Sequence, residues 1–206
     1  MRVAIVGGTG PFGRALAARL VALGEDEVVV GSRDAERAEA AASGLGCAGA
    51  ANADALAGAD LAVLAVEASS ALECAETLAT AIGRTPLLSV ASPLAFAKDG
   101  VRPDPDARSL AERVQELIEA PVVAGLHSIA ASNLAAELPQ EDALVCGDDA
   151  AAKALALELA GKVVAGRALD AGPLASARTL EGLTAVIVNL NRRYKAHAGV
   201  RVSGIP

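Results

Sequence analysis

Short apolar runs alternate with longer amphipathic stretches along most of this chain of 206 residues. Apolar runs bounded by turn residues are typical of strands buried in a parallel sheet, and apolar positions at helical spacing are typical of helices packed on one. The predicted strands cover residues 2–6, 27–31, 61–66, 87–90, 122–126 and 143–146, and the predicted helices cover 11–23, 69–82, 108–119 and 150–159. This alternation predicts an α/β fold with a doubly wound, mostly parallel sheet.

Two segments depart from the alternation. Residues 99–106 are rich in Pro and Asp, and we predict a loop there that is either a lid or a plain surface connection. After residue 167, Asp170-Ala171-Gly172-Pro173 introduces a long helical stretch with leucine and isoleucine side chains on one face. That apolar face either completes a substrate cavity or joins two subunits, and we expect a homodimer.

A glycine-rich turn joins the first predicted strand to the first predicted helix. It reads Gly8-Thr9-Gly10-Pro11-Phe12-Gly13, the spacing of the fingerprint that binds the pyrophosphate of a dinucleotide. In that fingerprint Gly8 permits the tight turn, Gly10 lets the backbone approach the pyrophosphate, and Gly13 lets the helix pack on the strand. A lone fingerprint can be a mere strand-to-helix turn, but here the strand, the helix and a second strand follow in order. The sequence therefore predicts a Rossmann-type dinucleotide site.

The end of the second predicted strand indicates which dinucleotide is bound. An acidic residue there binds the ribose 2′-hydroxyl of NAD, whereas cationic and hydroxyl side chains accept the 2′-phosphate of NADP. This chain has Ser32 and Arg33 at that position, and Arg37 follows one helical turn later. Guanidinium groups match the geometry of a phosphate, so NADP is favoured over NAD. In the alternative, both arginines are solvated charges paired with Asp34 or Glu36, and Asp34 serves as the NAD-type acid.

Composition excludes several other classes of protein. The formal charge of −7 and the low aromatic content, two Phe and one Tyr, argue against nucleic acid as a partner. No apolar run is long enough to cross a bilayer and no signal segment is recognisable, so a soluble cytoplasmic protein is expected. The three cysteines are widely spaced and only two histidines are present, which predicts neither a disulfide framework nor a metal site.

Five segments spread along the chain resemble one enzyme family. Through Val6–Gly10, Val30–Arg33, Leu126–Ile129, Val145–Asp149 and Leu169–Leu174, the chain is similar to the NADPH-dependent reductases of coenzyme F420, a deazaflavin. The last three segments are more specific than the glycine turn, which many unrelated dehydrogenases share. The resemblance implies an oxidoreductase that transfers a hydride between NADP(H) and coenzyme F420 as co-substrate.

The resemblance also assigns residues to the NADP half of the site. The residues implied to hold the 2′-phosphate are Thr9, Ser32, Arg33 and Arg37. This set agrees with the argument already made from charge and spacing. Backbone near Ala68 and Ala131 is implied to contact the nicotinamide half of the coenzyme.

The deazaflavin pocket is assigned by the resemblance alone. Ser92-Pro93-Leu94 and His127 are implied to line it. His127 is the implied catalytic residue, donating a hydrogen bond to a ring carbonyl and so stabilising charge on the reduced deazaflavin. In the alternative, His127 is a core histidine whose ring is satisfied by backbone groups.

The chain departs from the family at two places. Glu67-Ala68-Ser69 stands where family members often carry Pro-Trp-Glu, and the segment 192–199 replaces a more apolar ending. These departures leave two rival functions: an NADPH-dependent reductase of another acceptor, such as a flavin, a ferric chelate or a small imine or ketone, and a non-catalytic NADPH-sensing module. Residues 1–140 are expected to form the NADP-binding domain, and residues 141–206 a small C-terminal domain that closes the substrate cavity.

Overall fold

A computed structural model describes residues 1–136 and 138–205 of the chain. The strands are β1 (Arg2–Val6), β2 (Glu27–Ser32), β3 (Ala48–Ala51), β4 (Leu61–Leu64), β5 (Leu87–Ser89), β6 (Leu94–Ala97), β7 (Gly100–Pro103), β8 (Val122–Gly125), β9 (Ala143–Gly147) and β10 (Ala168–Asp170). The helices are α1 (Pro11–Leu23), α2 (Ala35–Ser43), α3 (Asn52–Ala55), α4 (Ala68–Ile82), α5 (Leu110–Gln115), α6 (Ala131–Ala135), α7 (Ala150–Val163) and α8 (Ala177–Tyr194).

Eight of these strands form one sheet, in the order β10-β9-β8-β5-β4-β1-β2-β3. All neighbours run parallel except β8 and β9, which are antiparallel. The predicted doubly wound, mostly parallel α/β sheet is therefore confirmed. The strand order reverses beside β1, between β4 and β2, and this is the position at which open α/β sheets bind ligands at the carboxyl ends of their strands.

The core lies on both faces of the sheet because successive side chains of a strand point to opposite sides. In β1, Val3 and Ile5 pack in a cluster with α1 and α7, whereas Ala4 and Val6 pack in a second cluster with α4, α5 and the start of α8. All four of these side chains are completely buried. The central strand is thus covered on both faces, as its continuous apolar run indicates.

The ends of several helices follow local sequence signals. Gly24 closes α1 in the left-handed conformation with φ +71°, and its N–H donates to the carbonyl groups of Leu20 and Val21. Ser109 starts α5 with a capping box, in which its hydroxyl accepts from the Glu112 N–H and the Glu112 carboxylate accepts from the Ser109 N–H. The helix predicted over residues 108–119 is accordingly shorter, and it ends at Gln115.

Four short strands, β3, β6, β7 and β10, were missed in the sequence. The loop predicted over residues 99–106 includes β7, which pairs with β6 as an antiparallel hairpin, so this part of the prediction is wrong. Pro103 ends β7, and a proline is tolerated there because the hairpin has only two strands and the position needs no ladder donor. β3 and β10 are edge strands of four and three residues, too short for an apolar pattern to be recognisable.

The C-terminal part of the chain contributes to the same sheet through β9 and β10 before α8 crosses its face. The Glu181 side chain fixes α8 to α5: its carboxylate accepts hydrogen bonds from the N–H groups of Leu110 (2.9 Å) and Ala111 (3.1 Å). Glu181 is only 1% exposed, and burial raises the pKa of its carboxyl group. The division at residues 140 and 141 into two domains stays a prediction.

Candidate dinucleotide site

The glycine turn after β1 is held by backbone hydrogen bonds and by close backbone packing. The Gly8 N–H donates to the carbonyl oxygens of Ile5 (3.0 Å) and Gly31 (2.9 Å). Gly7 has φ +74°, so Gly7 makes the tight turn that the sequence assigned to Gly8. A Cβ atom on Gly13 would lie 2.6 Å from the Cα of Gly8, which confirms that the third glycine is needed for close packing.

The start of α1 is open toward solvent and suited to an anion. Gly10 is the N-cap and offers no side-chain acceptor, Pro11 is the first helical residue, and the first turn has no acidic residue. The amide groups of the first turn therefore have no acceptor from a capping side chain. Such amides and the positive end of the helix dipole attract phosphate groups.

Asn52 supports the turn from α3, and no motif in the sequence indicates this role. Its side-chain oxygen accepts a hydrogen bond from the Gly7 N–H at 3.3 Å, and the residue is 6% exposed. A Cβ atom on Gly31 would lie 2.7 Å from the same oxygen. The glycine at the end of β2 thus makes room for the side chain that orients the turn.

Two arginines extend from the end of β2 without a carboxylate partner. Arg33 and Arg37 are exposed, and within residues 1–136 and 138–205 neither forms an ion pair. Asp34 is occupied as the N-cap of α2, where its carboxylate accepts from the Arg37 N–H at 3.2 Å. Ser32 in turn accepts from the Asp34 N–H at 3.3 Å. The alternative in which Asp34 or Glu36 neutralises the arginines is therefore not observed among the described residues.

A groove of about 1100 Å³ lies over the carboxyl ends of β1, β2 and β4. The residues proposed from the sequence that line it are Thr9, Gly10, Pro11, Phe12, Ser32, Arg33, Arg37 and Ala131. Gly8 and Gly13 support the turn from behind, and Ala68 lies at the start of α4 next to Glu67, which does line the groove. The groove thus brings together the glycine turn, the arginine pair and the start of α6.

One face of α4 lines the groove and was not identified in the sequence. It contributes Ser70, Glu73, Cys74 and Thr77. Burial raises the pKa of the Cys74 thiol, and the charge of Arg33 acts in the opposite direction. These residues follow no fingerprint, and only the helical spacing of polar positions after β4 could have indicated that they share a face.

His127 and Ser92 are brought together at the end of β8, outside the groove. Leu126 has φ +64°, which leucine rarely adopts, and this turn directs His127 and Ser128 into the interior. The Ser92 hydroxyl lies 3.2 Å from His127 Nδ1 and 2.7 Å from the hydroxyl of Thr184 on α8. The Thr184 hydroxyl also donates to the His127 carbonyl at 2.8 Å. Pro93 and Leu94 continue from Ser92 into β6.

The hydrogen bonds among Ser92, His127 and Thr184 indicate which nitrogen of the His127 ring carries the proton. Thr184 has one proton, which the His127 carbonyl accepts, so the Ser92 hydroxyl donates to Thr184 and accepts from Nδ1–H. The Nε2 atom is then an acceptor, and it is buried without a partner. Burial lowers the pKa of His127 to about 4, against an opposing effect of the Val90 carbonyl, so the ring is neutral near pH 7. The donation from His127 to a ring carbonyl of the deazaflavin stays a prediction.

Two other kinds of site are not observed in the part of the chain that the structure describes. There, no three His, Cys, Asp or Glu residues are grouped as metal ligands would be. None of the described helices combines the length and the apolar character needed to span a bilayer.

Comparison with known sequences identifies the family. Residues 2–93 match a family model described as NADP oxidoreductase, coenzyme F420-dependent. The F420-dependent NADP reductase of Methanothermobacter thermautotrophicus is 35% identical over 100% of this chain and 96% of its own length. The protein of the same name from Methanocaldococcus jannaschii is 32% identical over 100% of this chain and 99% of its own length.

Comparison with solved structures agrees with this result. The crystal structure of a putative F420-dependent NADP reductase from Arthrobacter sp. FB24 superposes with a TM-score of 0.84 at 29% identity, and the match covers 99% of this chain and 100% of that one. A pyrroline-5-carboxylate reductase from Coxiella burnetii, at 16% identity and a TM-score of 0.66, covers 94% of this chain and 65% of that one, and shares the fold alone. The chain belongs to the F420-dependent NADP reductase family.

Proposed function

We propose that this protein transfers a hydride between NADP(H) and the deazaflavin coenzyme F420. The observation that carries the proposal is the pair of guanidinium groups, Arg33 and Arg37, which line the groove of a member of this family and form no ion pair within residues 1–136 and 138–205. A dianionic 2′-phosphate supplies the charge that these groups lack, whereas a ribose hydroxyl does not.

The residues of the groove fit NADP(H) from end to end. Gly7, Gly8 and Gly13 have no room for a Cβ atom, and the amides at the start of α1 have no capping side chain and can bind the pyrophosphate. Ser32 and the arginine pair lie at the end of β2, where the 2′-phosphate of the adenosine half binds in this fold. Ala131 lines the groove from α6 and fits the nicotinamide half.

Catalysis in this arrangement depends on positioning rather than on a nucleophile. The nicotinamide supplies the hydride when NADPH is bound, and the chain needs to hold the two ring systems in contact and exclude water. We propose that Ser92 and Thr184 fix the ring of His127 beside the position at which the deazaflavin binds.

The test is the loss of deazaflavin absorbance when the purified protein is mixed with NADPH and F420. We expect rapid bleaching with NADPH and weak bleaching with NADH. Removing one charge-assisted hydrogen bond costs about 1.5–3 kcal/mol, so Arg33→Ala should raise the KM for NADPH about 10- to 100-fold and leave NADH unaffected. Arg84→Ala is the matched control, because Arg84 is exposed between α4 and β5, at the end of the parallel strands opposite the groove.

The possible results test the choice of hydride acceptor and the choice of nucleotide separately. Tight NADPH binding without bleaching would refute the assignment of coenzyme F420 as the acceptor. It would favour a reductase of another acceptor or an NADPH sensor. Equal rates with NADH and NADPH would contradict the role of the arginine pair.

We also propose a homodimer and a cytoplasmic location. The homodimer is supported by Val186, Leu190 and Tyr194, which lie one turn apart on α8 and are 53%, 41% and 68% exposed. The location is supported by three cysteines that are all free thiols, as is usual in a reducing compartment. Light scattering during size-exclusion chromatography tests the dimer, and Leu190→Lys should shift the protein toward the monomer.

A further inference from the structure

A second, smaller cleft adjoins the dinucleotide groove. It has a volume of about 280 Å³, and its lining residues are Thr9, Arg14, Arg37, Ala40, Ala41 and Gly44. Thr9 and Arg37 also line the large groove, whereas Arg33 lines only the groove and Arg14 only the cleft. The two spaces therefore meet at Thr9 and Arg37, with one further arginine on either side.

The chemistry of the cleft is that of an anion site. Apart from Thr9 and the two guanidinium groups, its side chains are methyl groups, and Gly44 has none. A ligand there meets positive charge and a hydroxyl donor but no carboxylate. The cleft is positive even though the chain as a whole has a net charge of −7.

Arg14 lies near the start of α1, a position at which a helix does not favour a cation. It lies in the first turn of α1, where its own N–H donates to the Gly10 carbonyl at 2.9 Å. This end of a helix is positive and favours anions, so a cation is repelled there. Arg14 is exposed, and its guanidinium group has no carboxylate within 4.0 Å among residues 1–136 and 138–205. A bound dianion would neutralise both Arg14 and the helix end.

We infer that Arg14 is a further specificity-determining residue, which binds the 2′-phosphate of NADP(H) together with Arg37 and Thr9. This inference rests on the proposed use of NADP(H). The phosphate lies at the meeting point of groove and cleft, so that Arg33 contacts it from the groove and Arg14 from the cleft. Cations on both sides of the phosphate discriminate against NAD(H), because without the phosphate the arginines remain unneutralised and repel one another.

The role of Arg14 in binding the 2′-phosphate could not be predicted from the sequence, because Arg14 does not stand at the position that usually distinguishes NADP from NAD. The position that distinguishes NADP from NAD is expected at the end of β2, about 20 residues beyond the glycine turn. Arg14 instead belongs to the fingerprint helix itself, directly after Gly13. It reaches the phosphate only because α1 and α2 lie on either side of the same cleft.

Isothermal titration with adenosine 2′,5′-bisphosphate and with 5′-ADP tests the inference, since only the first carries a 2′-phosphate. Arg14→Ala should weaken the binding of the bisphosphate about 10-fold and leave the binding of 5′-ADP unchanged. Arg14→Lys should restore part of the loss, because lysine retains the charge but not the planar fork. Arg84→Ala, an exposed arginine far from the start of α1, should change neither affinity. Unchanged thermal unfolding of each variant shows that the fold is retained.

Two other results would contradict the inference that Arg14 binds the 2′-phosphate. An unchanged affinity for the bisphosphate means that Arg14 is a solvated charge, and an equal loss for both ligands means that the substitution distorts the glycine turn. Neither ligand contains a nicotinamide or a deazaflavin, so this titration is independent of whether F420 is the acceptor. If the unsubstituted protein does not prefer the bisphosphate to 5′-ADP, the NADP preference itself fails, which is a separate result.

Discussion

The buried ring of His127 makes the stability of this protein depend on pH in a defined window. Burial lowers the pKa of His127 from 6.5 to about 4. Between these two values the unfolded chain binds a proton that the folded chain does not, so the free energy of unfolding decreases as the pH falls. The contribution of the neutral ring to stability is complete above the unfolded-state pKa of 6.5 and is lost as the pH falls toward the folded-state value of about 4.

The size of this effect follows from the pKa difference. Each pKa unit corresponds to about 1.4 kcal/mol, so the loss between about pH 7.5 and about pH 4.5 amounts to about 2.5 kcal/mol. Domains of this kind have a total stability of about 5–15 kcal/mol. The effect of this one side chain is therefore large enough to be measured by urea unfolding.

The assay compares the unsubstituted protein with His127→Asn at the two pH values. The asparagine amide places an N–H near the position of Nδ1, which retains a donor for Ser92, but it does not titrate. The cavity left by the shorter side chain lowers stability equally at both pH values, and all other titrating groups are common to both proteins. We expect the unsubstituted protein to lose about 2.5 kcal/mol more than the variant on acidification.

Parallel losses in the two proteins would refute the reasoning. They would mean that the His127 ring is either solvated or already charged in the folded protein. Either state would contradict a buried, neutral ring with a proton on Nδ1 and a lone pair on Nε2. Nitrogen chemical shifts of the histidine rings give a second check, since Nδ1 should report a bound proton and Nε2 a lone pair.

Two further substitutions test the packing around the site. Gly13→Ala should lower the free energy of unfolding by about 1–3 kcal/mol and weaken NADPH binding, because the new Cβ meets the Gly8 backbone at 2.6 Å; Gly161→Ala, whose nearest atom is 3.8 Å away, should be tolerated in the same thermal unfolding assay. Glu181→Ala should cost about 2–6 kcal/mol because two buried N–H groups at the start of α5 lose their acceptor. Glu181→Gln, which retains one oxygen, should cost less, and equal unfolding temperatures for both variants would contradict this account.

The glycine turn of the dinucleotide site is predictable from the sequence because it depends on local backbone geometry. Glycine spacing between a strand and a helix determines the turn, and the family comparisons agree with the predicted use of NADP. The assignment within the turn was less accurate, since Gly7 rather than Gly8 has the positive φ. Sequence spacing identifies a set of glycines, but the hydrogen bonds of the turn decide which of them needs the unusual conformation.

Other parts of the site depend on contacts between residues distant in the sequence, and these were not predictable. Asn52 bonds Gly7 across 45 positions, and Thr184 bonds Ser92 across 92. The hairpin of β6 and β7 is similarly supported from outside, because the Asn189 side chain on α8 bonds both the N–H and the carbonyl of Val101. A two-stranded hairpin has little stability of its own, so its local sequence resembles that of a loop.

The antiparallel pairing of β8 with β9 determines where the end of the chain can go. Because β9 and β10 run opposite to the other strands, the residues after β10 emerge at the end of the strands opposite the groove. Helix α8 starts near that end of the strands and runs back across the face of the sheet. Its 18 residues span about 27 Å. It passes Ser92 with Thr184, and the chain that follows it places His197 Nδ1 3.5 Å from the Ser132 hydroxyl, next to Ala131 in the groove wall. Reversal of these two strands therefore brings α8 past Ser92 and the chain after it to the groove wall, and binding of a dinucleotide should slow amide exchange in residues 196–200 although none of them lines the groove.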